Sequence, residues 1–126
     1  MNAALAARLI AAGRLGFGIA LIVSPGRMTE RWLGDDAGRA GTQVAVRGLG
    51  ARDVALGVGA LAAHGSQLQP WVAAAIVADT ADLVSTLAAG DSLPLEGRVL
   101  AGAMALGGAV AGVMALAALR SRSLSS

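Results

Sequence analysis

The chain has no cysteine, no tyrosine and no lysine, one phenylalanine, one histidine and two tryptophans. Without cysteine there are no disulfides, no thiolate metal ligands and no thiol nucleophile. A lone histidine supplies too few ligands for a zinc-type centre, so neither a metal nor a cofactor is expected. A hydrolytic triad fails as well, because Ser24, Ser66, Ser85 and Ser92 have no histidine–carboxylate pair at evident spacing. Aromatics make up 2% of the chain, and the ten basic residues, all arginine, are scattered along it. A nucleic-acid groove needs clustered cations and rings on which bases stack, so nucleic acid is not an expected partner. Charge is scarce too: 14% of residues are charged, against about a quarter in an ordinary soluble domain.

What is there is apolar, at 56% of 126 residues. That excludes disorder, and the length suits about four membrane spans of some 20 residues with short connections. Residues 99–119, VLAGAMALGGAVAGVMALAAL, contain no charge. A helix of that length covers the roughly 30 Å hydrocarbon layer at 1.5 Å per residue. Arg98 at one end, and Arg120 and Arg122 at the other, can snorkel to the headgroups. The spans are placed at about 3–23, 44–63, 70–89 and 98–119, as a single four-helix membrane domain over residues 1–126. Arg14 interrupts the first apolar run, which is therefore read as a helix of the mature protein and not as a signal peptide.

Turn residues separate the later spans. Gly65 suits a left-handed helix end, Pro70 the first turn of the next helix, and Trp71 an interfacial anchor. Gly90 to Pro94 repeats the logic, with Asp91 or Ser92 as the expected N-cap. The polar stretch from Ser24 to Thr42 opens with Ser24-Pro25, and Met28 and Trp32 lie four residues apart on one helical face. It is expected to form a short amphipathic helix in the headgroup region, with Trp32 and Leu33 turned toward the lipid. The expected fold class is thus all-α: a four-helix transmembrane bundle with a short interfacial helix after helix one.

The charges inside the spans carry the most information. Arg14, Arg52, Asp53, Asp79 and Asp82 fall near the midpoints of the first three spans, and Arg47 lies one to two turns away. Each would cost about 2.5–3.5 kcal/mol at a lipid-exposed helix centre. Three arginines and three aspartates sum to zero, so they are expected to face inward and meet. Asp79 and Asp82 are i, i+3, and Thr86 continues the same stripe. Arg47 and Arg52 lie about 140° apart around their helix. The expected pairs are Arg52 with Asp79 or Asp82, Arg14 with the other carboxylate, and Arg47 with Asp53 or a neighbouring carbonyl. Gly108 and Gly112 form a GxxxG in the last span, fit for close packing inside the bundle, or against a membrane-protein partner or a second copy.

Several stretches carry a resemblance: Arg14-Leu15-Gly16, Ser24-Pro25, Trp32-Leu33-Gly34, and above all Arg47-Gly48-Leu49-Gly50-Ala51-Arg52-Asp53 followed by Leu56-Gly57. They are similar to a family of small bacterial four-helix integral membrane proteins and, more loosely, to the DoxX-like group. The resemblance implies a multi-pass protein of the bacterial cytoplasmic membrane. It also implies a link to quinone-linked oxidation or to assembly of membrane complexes, for the first of which the chain shows no redox ligand. Two functional readings follow. The first is non-enzymatic: an accessory or scaffolding membrane subunit locked by a buried Arg/Asp network. The second is a small proton-linked carrier, or a binding protein for an anionic or amphiphilic ligand. In that reading Arg14, Arg47 and Arg52 are anion contacts and Asp79 or Asp82 is the proton-linked group.

Overall fold

Pro25, Gly34, Gly65, Gly90 and Pro94 mark the breaks between the long helices. In the computed structural model, which describes residues 2–124, helix α1 (Ala3–Val23) begins at Asn2, whose side chain accepts from the Ala4 N–H at 2.9 Å. That satisfies one of the donors a helix start leaves unpaired. Pro25, which a helix interior does not tolerate, takes the first position of α2 (Pro25–Leu33). A 3₁₀ turn at Gly34–Gly38 leads into α3 (Ala40–Ala62). Two more 3₁₀ turns, Gly65–Gln67 and Gly90–Ser92, precede α4 (Leu68–Ala89) and α5 (Leu95–Ser123). Gly34, Gly65 and Gly90 have φ of 59°, 55° and 53°, a region that only glycine enters without strain. No strand occurs among the described residues, so the chain is all-helical.

The start of α5 differs from expectation. Leu93 and Pro94 are extended, as the residue before a proline prefers, so the N-cap position falls on Pro94 with no side-chain cap. Asp91 pairs instead with Arg98, at 2.9 Å.

Three segments are long and apolar enough to cross a membrane: α1, residues Gly65–Ser92 containing α4, and Leu95–Arg122 of α5. α3, the other expected span, has the length at 23 residues but not the composition. It holds Arg47, Arg52 and Asp53, and five of its residues are glycine.

Small residues let the helices close on one another. α1 packs on α3, and α4 on α5. A Cβ at Gly18 would stand 2.6 Å from the Gly50 carbonyl oxygen, and one at Gly57 2.8 Å from that of Ala11, so α1 and α3 meet backbone to backbone. The GxxxG of α5 is filled from within the chain: Gly108 faces Asp79 and Gly112 faces Ile76, both on α4. A second copy docking on that stripe would have to displace α4. The buried cluster joining the two helix pairs is mostly alanine, with Ala7, Ala11, Ala60 and Ala115 at its centre. Large apolar side chains point outward; Val44, Val77 and Met114 are about 70% exposed. Small inside and large apolar outside is the arrangement of helices that meet lipid, where close backbone approach, not apolar burial, drives association.

α2 does not lie apart from the other helices. Its last turn rests on Gly97 of α5, where a side chain would collide with the backbone of Arg31 and Trp32. Trp32, expected to turn toward lipid, is half-buried, with its indole Nε1 enclosed. Trp71, the other expected anchor, lies across Gly59 of α3 with its ring 38% exposed.

Candidate functional site

The charges inside the helices form one connected ion-pair network. Arg14 of α1 donates from one terminal nitrogen to Asp53 Oδ1 of α3 at 3.0 Å, and from the other to Asp79 Oδ2 of α4 at 2.5 Å. Arg52 of α3 donates to both oxygens of Asp82 on α4, at 2.9 and 2.7 Å, and also reaches its neighbour Asp53 at 3.0 Å. Arg14, Asp53 and Asp79 have side chains 6–10% exposed, whereas Arg52 and Asp82 are nearer 30%. The i, i+3 spacing of Asp79 and Asp82 puts both carboxylates on the face of α4 that meets these guanidiniums. The network ties the α1–α3 pair to α4, across an interface where α3 and α4 otherwise touch little.

Arg47 does not join it. Set about 140° round the helix from Arg52, it is exposed and donates to the Ile22 carbonyl at 3.2 Å. Of the two partners expected for it, the carbonyl is the one it takes. The expected balance of three against three therefore becomes three carboxylates with two guanidiniums. At the other end of the same helix pair, Arg8 of α1 donates to the carbonyls of Leu61 and Ala63, both at 2.6 Å. Each helix thus sends an arginine to the other's C-terminal carbonyls, which a helix leaves unpaired and partly negative. The spacing of residues does not show this contact, because the partners of Arg8 lie 53 and 55 positions along the chain.

Thr86 continues the stripe, as its spacing from Asp79 implied. It is 2% exposed, and among the described residues its hydroxyl is one of two buried side-chain polar atoms without a hydrogen-bond partner; the other is Trp32 Nε1. The contrast with two other helical threonines is informative. Thr29 and Thr80 each donate to the carbonyl four residues back, at 2.7 Å, the usual outlet for a hydroxyl inside a helix. Thr86 does not.

Thr86 and Trp32 are both among the residues around one cavity of about 450 Å³, although the two unbonded atoms themselves are enclosed by protein. Arg14, Asp53, Asp79, Asp82 and Thr86 form its polar side. Its apolar frame includes Ile10 and Phe17 of α1, Met28 of α2, and Leu100 and Met104 of α5, all 37–54% exposed at the surface. α1 and α5 meet through Ala4, Ala7 and Ala11 against Ala115 and Leu119. Toward the other end the helices leave room, and Trp32 of α2 covers it. Gly108 also borders the cavity, and its missing side chain is what admits the Asp79 carboxylate. Sequence reasoning found the charged wall and, in its binding reading, a polar cavity beside it; it did not find the cavity's apolar frame. Its one local signal was Gly97, a glycine in the first turn of a helix, where glycine costs about 1 kcal/mol unless something lies against it.

Among the described residues no group of three or more His, Asp or Glu side chains is placed to hold a metal ion. The arrangement can bind a molecule of small-ligand size, since such sites run about 300–1,000 Å³ with apolar walls and a few convergent polar groups. No family model, curated protein or solved structure matches this chain.

Proposed function

We propose that the chain is a non-enzymatic, multi-pass membrane protein whose cavity binds an amphiphilic small molecule, holding its polar part at the Arg/Asp network. Four long helices, α1, α3, α4 and α5, cross the bilayer, with α2 at one interface; the DoxX-like resemblance implies the same architecture. α3 crosses although its composition alone is unfavourable, because Arg52 and Asp53 pair with each other and with Asp82 and Arg14 on its neighbours. One observation carries the binding reading: a cavity of about 450 Å³ with an apolar frame has Arg14, Asp53, Asp79 and Asp82 converging on one wall. A mostly apolar cavity of this size with a few convergent charged groups has the form of a small-molecule site.

The accessory-subunit reading has an observation of its own. The network joins helix pairs that otherwise share little contact, as a latch would. Native mass spectrometry after gentle extraction from the membrane separates the two. The binding reading expects one small molecule or lipid retained per chain. Bare protein, or a stoichiometric second protein with no small molecule, would overturn it, and the second result would favour the accessory subunit.

A further inference from the structure

We infer that the molecule held in this cavity is an amphiphilic organic cation that reaches it sideways from the bilayer, between α1 and α5. The inference rests on the binding reading above and concerns the charge of the ligand. Three carboxylates, Asp53, Asp79 and Asp82, border the cavity, but only Arg14 of the network's two guanidiniums does; Arg52 stands behind them. Arg47, which would have balanced the count, faces the end of α1. The ion pairs of Asp53 all fall on Oδ1 and that of Asp79 on Oδ2. The second oxygen of each carboxylate is left for a further positive partner.

The network therefore carries one negative charge in excess, in a setting where water screens it poorly. An anion is repelled there, and both network guanidiniums are already engaged. Arg27, Glu30 and Arg31 also border the cavity, but they are exposed on α2, where solvent screens them. Phe17 and Trp32 supply the aromatic faces over which an organic cation rests favourably. The way in follows from the frame. Ile10, Phe17, Leu100 and Met104 are exposed apolar side chains on two helices that meet lipid, so the opening between them faces acyl chains.

The test uses two ions of the same shape and opposite charge, tetraphenylphosphonium and tetraphenylborate. Each is measured by equilibrium dialysis against the detergent-solubilised full chain, with empty micelles as the blank. Wild type should retain about one equivalent of the phosphonium and prefer it to the borate by at least about tenfold, the sign that an unscreened net charge dictates. Asp82→Asn, which removes the excess charge and keeps an oxygen for Arg52, should erase most of that preference. Arg47→Gln should leave it intact. Equal or stronger retention of the borate by wild type would overturn the cation assignment while leaving the binding reading standing. An undiminished preference in folded Asp82→Asn would overturn it too. Retention of neither ion overturns the assignment, and overturns the binding reading as well only if native mass spectrometry also finds the protein bare. Should Asp82→Asn fail to fold, the wild-type comparison decides alone.

Discussion

Arg14 holds two different carboxylates, one on each of two other helices, with about a tenth of its side chain exposed. Arg14→Ala strands Asp79 and leaves Asp53 with Arg52 alone, and removing one partner of a buried pair costs about 3–5 kcal/mol. Arg52→Ala should cost less, because Arg52 and Asp82 are both about 30% exposed and Asp53 keeps Arg14. Arg47→Ala removes one bond to a carbonyl from an exposed side chain and should stay within about 0.5 kcal/mol. Reversible unfolding in mixed micelles, followed by circular dichroism, should rank the three in that order; a loss at Arg47 as large as at Arg14 would contradict the network. At this scale much was legible. A charge inside an apolar span must meet its opposite, and the stripe of Asp79, Asp82 and Thr86 followed from helical spacing alone. The position of Arg47 outside the network was not, because 140° of separation on one helix does not say which face its neighbours occupy.

The helices owe their placement to glycines that touch backbone. Gly97 carries the weight of α2, since any side chain there meets the Arg31 and Trp32 main chain. Gly97→Ala should lift α2 from α5 and uncover the cavity at Trp32, without disturbing the α1–α3 contact. Amide exchange should then rise at least about tenfold over residues 25–38, as local opening becomes easier, while α3 stays protected; unchanged exchange over α2 would show that Gly97 does not seat it. Gly18→Ala is the complementary case. Its new Cβ would press on the Gly50 carbonyl and Val54 amide of α3, so the whole chain should lose about 1–3 kcal/mol in the same unfolding assay. Helix existence could be read from the sequence because Pro25, Gly65 and Gly90 mark the breaks. The seat of α2 could not, since it joins residues about 65 positions apart and leaves only a glycine as its local trace.

Across the whole molecule, large apolar residues face out while alanine, glycine and ion pairs lie within, and α3 depends on the rest to belong there. Alone, its three charges would cost roughly 7–10 kcal/mol at a bilayer centre. A translocon insertion assay should therefore leave residues 40–62 uninserted as a single segment, and insert them when α1 and α4 flank them. Efficient insertion of the isolated segment would show that the network is not needed for α3 to cross. The cavity is the other property of the whole. It exists because α1 and α5 touch near Ala11 and Ala115 and leave room beyond, a divergence that no single segment encodes. Its use as a binding site is tested most directly by filling it. Ala101 borders the cavity from α5, and Ala101→Phe would place a ring in the space while leaving the ion pairs untouched. Native mass spectra of the two proteins, extracted side by side, should show one small molecule per wild-type chain and none on a folded Ala101→Phe. The same molecule held at the same stoichiometry by both would put it on the outer, lipid-facing surface and contradict the account.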